Sequence, residues 1–236
     1  MSGIINDVEQ NGFAIVEQVI DESIVKQFLG ELMSVRSANI SMRAGKAYGI
    51  RNLLNLVPLT RSIANSPSLR ALVEPVLGNA ARVVRGIYFD KHKDANWKVA
   101  WHQDLSIAVR NRTEVQGYGP WSLKAGIQHV QPPVSILEKI LTVRVHLDRT
   151  DESNGALRVF PGSHICGRLS AEKIASWKEQ HEETICVVKK GGAMLMRPLL
   201  LHASSSATIT GHRRVLHFEY TATQLPAGLE WFDRSL

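Results

Sequence analysis

Trp101-His102-Gln103-Asp104-Leu105 is the stretch on which the reading of this chain turns. In an extended strand residues i and i+2 project to one face. His102 and Asp104 are therefore expected to present an imidazole and a carboxylate to one point. Two such ligands hold a metal weakly, and a third is expected from His202 in Leu199-Leu200-Leu201-His202-Ala203-Ser204. Two histidines and one carboxylate on one side of an ion leave its other positions open, the facial arrangement of non-heme Fe(II) oxygenases.

The pattern His-x-(Asp/Glu) is common, and composition alone predicts roughly one occurrence. The chain has five: His92-Asp94, His102-Asp104, His146-Asp148, His181-Glu183 and His217-Glu219. Context separates them. The first lies in Asp90-Lys91-His92-Lys93-Asp94-Ala95-Asn96, which reads as a solvated loop, and His181-Glu183 ends a polar helical stretch. His217-Glu219 lies on a strand pattern with no neighbouring turn to expose a site. Asp148 precedes Asn154-Gly155 and reads as a turn acceptor. His102-Asp104 alone follows a short apolar strand, Val99-Ala100-Trp101, and precedes a long Gly-containing segment able to cover a site.

Outward from that stretch, the second half of the chain is a series of short strand patterns broken by turns. They fall at 82–89, 98–103, 127–130, 140–147, 156–160, 184–188, 193–196, 199–203 and 214–221. Asn154-Gly155 and Gly191-Gly192 are hairpin-type turn signals. In the first half Phe13 to Val19 alternates weakly and reads as a strand, and the other signals are helical. Asp21 is placed to cap a helix over 22–35, whose apolar positions Ile24, Val25, Phe28, Leu29, Leu32 and Met33 share a face. Ser66-Pro67 opens a second helix that Gly78 closes. Residues 39–49 read as loop. These signals predict a mainly β fold with flanking helices (α+β), a two-sheet jelly roll. The helical layer is expected over about residues 1–80 and the core over about 81–222, in a single domain of 236 residues.

Composition narrows the class. Hydrophobic residues make up 44% and charged residues 21%, with a formal charge of +6, ordinary for a globular chain. The basic residues are scattered, which argues against a nucleic-acid partner and suits a small anionic ligand. No segment is long enough to span a membrane. The first twelve residues lack the basic-then-apolar order of a secretory signal. Two isolated cysteines, Cys166 and Cys186, read as reduced thiols in a cytoplasmic protein rather than a disulfide framework.

Several of these residues together resemble a known family. They are Trp101-His102-Gln103-Asp104-Leu105, His146-Leu147-Asp148, Asn154-Gly155-Ala156-Leu157-Arg158-Val159-Phe160-Pro161-Gly162-Ser163-His164, and His202 with Arg213. The combination, over roughly residues 80–222, resembles the phytanoyl-CoA dioxygenase family of Fe(II)- and 2-oxoglutarate-dependent oxygenases, whose core is a double-stranded β-helix, cupin-like in form. The resemblance implies that His102, Asp104 and His202 bind iron. It implies that Arg213, eleven positions after His202, pairs with the far carboxylate of 2-oxoglutarate, assisted by Ser204. An Arg grips a carboxylate with two parallel hydrogen bonds, which a Lys cannot do. Arg214 would point to the opposite strand face, so an error of one residue would exchange the two. Relatives that halogenate lack the carboxylate ligand, so Asp104 favours hydroxylation or a related oxidation, coupled to decarboxylation of 2-oxoglutarate by O2 to succinate and CO2. The Pro161-Gly162-Ser163-His164 turn belongs to the resemblance but carries no chemistry, and His164 reads as structural.

Substrate residues are less determined. Arg144 shares a strand face with Thr142 and His146 and, if buried, needs a counter-charge: a structural acid, or a substrate or cosubstrate carboxylate. Arg51 stands among apolar neighbours, as a surface residue or a ligand for an anion. The segment 105–128, long for an unstructured loop, carries Tyr118, Trp121 and Lys124 and reads as a lid whose aromatics cover a small or medium-sized anionic substrate. The partners expected are that substrate and O2, with the chain a monomer or small homo-oligomer. A non-catalytic jelly-roll binding protein, or a hydrolase holding a different metal on the same three ligands, are the competing classes. The second leaves Arg213 without a role.

Overall fold

The computed structural model describes residues 2–35, 40–43, 46–226 and 228–233. In chain order the first half holds α1 (Ser2–Gln10), β1 (Phe13–Val16), α2 (Glu22–Leu32), β2 (Ile40–Arg43), β3 (Lys46–Ile50), α3 (Leu53–Leu56), α4 (Leu59–Ala64) and α5 (Pro67–Leu77). Then come β4 (Arg82–Lys91), β5 (Val99–His102), β6 (Ile107–Val109), β7 (Trp121–Lys124), β8 (Ile127–Val130), α6 (Val134–Leu137), β9 (Ile140–His146) and β10 (Leu157–Val159). The remainder is α7 (Ala171–Gln180), β11 (Thr184–Ile185), β12 (Ala193–Met196), β13 (His202–Ser204) and β14 (Arg213–Thr221).

Two sheets build the frame. The major sheet runs β1-β12-β9-β14-β4-β3-β2, and the minor sheet runs β11-β10-β13-β5. All described pairings within them are antiparallel. The two sheets pack face to face, with Leu157 and Val159 of the minor sheet clustered against Met194 and Met196 of the major one. This is a jelly roll of open sheets, not a closed barrel.

Alternation along β14 divides the major sheet. Leu216, Phe218 and Tyr220 point outward into a core shared with Val25 and Phe28 of α2, Leu53 and Leu54 of α3, and Leu69 and Val73 of α5. The Tyr220 hydroxyl donates to the Ala64 carbonyl at 2.8 Å. Gly86 on β4 lets α3 lie close, since a Cβ there would meet Leu54 at 2.7 Å. The opposite, inner face carries Arg213, Val215, His217 and Glu219, and it is this face that meets the site. The helix signals act as expected at α5, where the Ser66 side chain accepts from Leu69 N and Gly78 ends the helix. Asp21 stands at the start of α2 but makes no side-chain cap.

Three local expectations are corrected. Within the expected loop 39–49, residues 40–43 and 46–49 are strand: β2 and β3 pair there and extend the major sheet, while Asn39, Ala44 and Gly45 lie outside the described residues. β1, where residues 13–19 read as a strand, joins that sheet through β12. The segment 105–128 is not an unstructured lid. It forms most of a third sheet, β6-β8-β7, turned at Ala125 and Gly126, both with positive φ, as a tight hairpin requires. Its apolar face packs Ile107, Val109 and Val130 on Val84, Leu199 and Trp231. Finally, β9 and β10 lie in different sheets, so Asn154-Gly155 turns between sheets rather than closing a hairpin.

Candidate metal centre

His102 and His202 are direct cross-strand partners on β5 and β13. Their ring centroids stand 4.2 Å apart. Each imidazole is oriented by a backbone carbonyl two residues before it. His102 Nδ1 bonds Ala100 O at 2.9 Å, and His202 Nδ1 bonds Leu200 O at 2.8 Å. Carbonyls only accept, so Nδ1 carries the proton and each Nε2 offers its lone pair, the usual way a ligating histidine is aimed.

Asp104 is not on the strand, which ends at His102. Its backbone N donates to Pro198 O at 2.8 Å, turning the chain back towards β13. Gln103 anchors that turn. Its side chain donates to Gly167 O and Leu199 O and accepts from Leu169 N. Asp104 Oδ1 thus stands 3.8 Å from His102 Nε2, and Oδ2 3.8 Å from His202 Nε2. One donor atom from each of the three residues lies within 4.8 Å of the others. Burial would raise the Asp104 carboxyl, but the neighbouring imidazoles of His202, His217 and His102, with Arg85, outweigh it and hold it at about 2. Burial holds the His202 imidazole down at about 4. Near neutrality both are therefore already in the form that binds a metal, and the donor set suits a divalent ion with open positions.

Beside this triad lies a cavity of about 490 Å³, lined by Arg51, Arg85, Phe89, His102, Asp104, Trp121, Lys124, His217 and Glu219 among others. Arg85 and Glu219 face each other across β4 and β14. Arg85 Nη1 donates to Glu219 Oε1 at 2.8 Å, and Arg85 Nη2 donates to His129 Nε2 at 3.1 Å. Arg144 Nη1 donates to His217 Nδ1 at 2.9 Å, and the His217 Nε2 faces Glu219 Oε1 at 3.4 Å. Burial would raise the Glu219 carboxyl, but Arg85 and His217 hold it below its ordinary value. The result is a fixed, charge-balanced wall.

Further along the same inner face the balance fails. Lys91, Arg144 and Arg213 are all buried, 1%, 7% and 3% exposed. Among the described residues none of them forms an ion pair with an acid. Asp90 is near, but His212 and Tyr88 engage it. Arg213 Nη1 donates to Gly155 O at 3.1 Å and its Nε has no partner. Ser204 Oγ donates to the same carbonyl at 2.9 Å. Burial, then the neighbouring Arg144, brings Arg213 down to about 9. Burial brings Arg144 to about 10. His146 is pushed well below its ordinary value by burial and by both arginines, and is neutral.

The structure therefore brings His102, Asp104 and His202 together, sets Ser204 and Arg213 in the cation-rich end, and puts Arg51 and Trp121 on the cavity wall. Arg144 stands between the two ends. Tyr118 is not among the lining residues and packs with the third sheet's core. Arg214 points to the opposite face, where its side chain grips both carboxylate oxygens of Asp148 at 2.6 and 2.8 Å. Asp148 is thus an ion-pair partner and not a turn acceptor. His164 bonds the Glu9 carbonyl at 3.1 Å, tying its turn to α1. Two readings are overturned. His217 and Glu219 line the cavity although no turn is near, because an inner-face position on a central strand needs none. Lys91 is fully buried although its sequence neighbours are solvated, because β4 runs on beneath Ser204 and Ser205. Strand alternation counted forward from Arg85 would have placed Lys91 on the inner face.

A model described as phytanoyl-CoA dioxygenase matches residues 8–215. No curated protein matches the sequence significantly. Among solved structures, AviO1 from Streptomyces viridochromogenes Tue57 is similar with TM-score 0.66 and 19% identity, over 96% of this chain and 95% of that one. EctD from S. alaskensis with bound Fe aligns at TM-score 0.70 and 15% identity, over 94% of this chain and 76% of that one. SnoK, a non-heme alpha-ketoglutarate-dependent carbocyclase from nogalamycin biosynthesis, aligns at TM-score 0.72 and 14% identity, over 94% and 83%. At these identities the likeness shows the fold.

Proposed function

The chain belongs to the phytanoyl-CoA dioxygenase family, and on that premise we propose that it is an Fe(II)- and 2-oxoglutarate-dependent oxygenase. It hydroxylates a small or medium-sized anionic organic substrate and releases succinate and CO2. The observation that carries this reading is the pairing of an open His-Asp-His triad with a buried group of cations that lacks a counter-ion. A triad alone would suit a hydrolytic metal. A dicarboxylate cosubstrate accounts for the buried cations as well, since ions taken out of water need an opposite charge.

His102, Asp104 and His202 would hold the iron, which with 2-oxoglutarate and O2 supplies the oxidising chemistry. Arg213 and Ser204 would orient the cosubstrate from its far end. In the cavity, Arg51 and Lys124 offer positive charge to the substrate, and burial lowers the Lys124 ammonium from its ordinary value. Glu219 Oε1 is engaged by Arg85 and faces His217, whereas among the described residues no donor reaches Oε2. A substrate with an anionic group and a hydroxyl or amine donor fits both features. Trp121 and the third sheet exclude water from that side. The reaction runs in the cytoplasm, in a monomer or small homo-oligomer.

The test is anaerobic addition of Fe(II) and then 2-oxoglutarate, watching for a visible metal-to-cosubstrate absorption band. A screen of carboxylate-bearing metabolites for stimulated succinate release follows. A zinc hydrolase or a binding protein gives no band. Stimulation by neutral or cationic compounds alone would overturn the anionic-substrate reading and leave the oxygenase assignment standing.

A further inference from the structure

The wall formed by Arg85, His129, His217 and Glu219 is balanced in charge but not in hydrogen bonds. The direction of donation places each proton. Arg144 Nη1 only donates, so His217 Nδ1 accepts from it at 2.9 Å. The His217 proton is therefore on Nε2, aimed at Glu219 Oε1 3.4 Å away. Arg85 Nη1 donates to that same oxygen at 2.8 Å. Arg85 Nη2 donates to His129 Nε2 at 3.1 Å, which leaves His129 Nδ1 to donate to the Ile127 carbonyl at 2.9 Å. Both imidazoles are thus neutral, and their single N–H donors are spent inside the wall. The two donors that reach Glu219 converge on Oε1. Oε2 takes none among the described residues, and it is accessible. Glu219 is 5% exposed and lines the cavity, so this oxygen opens there. Asp104, the other acid on the lining, belongs to the metal triad.

We propose that Glu219 is a specificity-determining residue that reads a hydroxyl of the substrate, and that the substrate is a hydroxylated carboxylate. This rests on the oxygenase reading above and narrows the anionic substrate named there. The hydroxyl donates to Oε2, while the carboxylate lies towards Arg51 and Lys124. A neutral donor is selected over an ammonium for a reason of charge. Arg85 already supplies the counter-charge of Glu219, and Arg51 and Lys124 add positive charge to the same cavity. A further cation meets repulsion there, which discriminates against it. Arg85, His217, Arg144 and His129 are positioning residues: they hold Oε1 and so fix where Oε2 points. A compound with a methyl in place of the hydroxyl fills the same space but leaves Oε2 without a donor. A site built to bond a hydroxyl rejects such an analogue strongly, because its own buried acceptor is left unpaired.

The test is anaerobic titration calorimetry of the protein loaded with Fe(II) and 2-oxoglutarate. The probes are straight-chain carboxylates of about four to eight carbons, a range suited to a cavity of this size, each ending in methyl, hydroxyl, methoxy or ammonium. At the length that spans the cavity, the hydroxyl acid should bind about thirtyfold tighter than the methyl acid, as a hydrogen bond to a charged acceptor allows. It should also bind tighter than the methoxy acid, which accepts but cannot donate, and tighter than the ammonium acid. Glu219→Gln turns its carbonyl to Arg85 and His217 and presents an NH2 donor where Oε2 stood. The methoxy acid should then gain about tenfold on the hydroxyl acid. Glu219→Asp keeps the charge but withdraws the oxygen, and should lose the hydroxyl preference. Equal binding of hydroxyl and methyl acids by the wild type at every length, or no binding of either, would overturn the proposal, as would a preference for the ammonium acids. A hydroxyl-to-methoxy ratio unchanged in both variants would overturn it as well, because the hydroxyl would then be read elsewhere. The wild-type series decides the hydroxyl preference even where a variant fails to fold. Absence of 2-oxoglutarate binding by the wild type is a different result, which overturns the oxygenase reading itself.

Discussion

The inner face of β4, β14 and β9 has two ends that differ in charge. At the cavity end Arg85 faces Glu219, with His129 and His217 completing the set. At the other end Lys91 faces Arg213, with Arg144 and His146 nearby and, among the described residues, no acid bonded to any of them. The first end is self-sufficient: its hydrogen bonds run from ion to ion through neutral imidazoles. The second carries buried charge that the fold does not cancel. A balanced network holds a wall in shape, whereas an unbalanced one carries an electrostatic cost that a ligand relieves. That contrast separates a surface built to shape a substrate from one built to receive an anion.

The His102-Asp104-His202 triad tests whether the two ends serve one site. His202→Ala should abolish succinate formation and the visible band, while circular dichroism remains that of the folded protein. Chelation of the wild type should do the same and be reversed by Fe(II). Retained turnover in either case would separate the triad from the chemistry.

Next in size is the cation end. Arg213→Ala should weaken 2-oxoglutarate on the order of a hundredfold, the loss of a charge-assisted bidentate contact, with Fe(II) binding nearly intact. Arg214→Ala should instead lower stability, because it strips Asp148 of its partner, and should leave the cosubstrate affinity alone. An exchange of these phenotypes would mean that Arg214, not Arg213, holds the cosubstrate.

The two ends should also differ in the sign of a stability change. Arg85→Met leaves Glu219 buried with His217 alone and should destabilise by about 3 kcal/mol. The Arg85→Met/Glu219→Met double variant should recover much of that loss. Lys91→Met removes an uncompensated charge and should raise the denaturation midpoint of the ligand-free protein. Destabilisation by both single substitutions would erase the contrast between the ends.

The smallest effect is in pH. Burial, then Arg213 and Arg144, brings the Lys91 ammonium from its ordinary 10.5 down to about 7. Between those values the unfolded chain holds a proton that the folded one has released. Folding stability due to Lys91 therefore rises with pH across that window and is flat below about 7, where both states are protonated. The difference in urea midpoint between wild type and Lys91→Met, followed over pH, isolates this contribution. A flat difference profile would mean that Lys91 keeps its ordinary proton affinity.

Much of the site is readable in the chain because ligation depends on residue type and short spacing. His102, Asp104 and His202 stand out by that logic, although the reason first given for two of them is incomplete. Asp104 lies past the end of β5, and the Gln103 anchor, not strand alternation, turns it towards the imidazoles. The strands of the second half are also legible, since β-branched runs between turn residues are local signals. The hairpin at Ala125-Gly126 was not, because alanine stands where such a turn usually has Asn, Asp or Gly. Positive φ at an alanine is imposed by the pairing of β7 with β8.

What the sequence by itself determined is the set of candidate metal ligands, the succession of short strands, and the narrowing of the candidate anion-binding arginine to Arg213 or Arg214. These follow from chemistry carried by single residues and from the two-residue period of a strand. Only the tertiary structure decided which arginine turns inward, that Lys91 is buried opposite it, and that His217 and Glu219 belong to the cavity. The reason is that burial and charge balance belong to neighbours brought together from distant parts of the chain. Lys91 and Arg213, which the sequence separates widely, acquire their shared electrostatic cost only once β4 and β14 are paired.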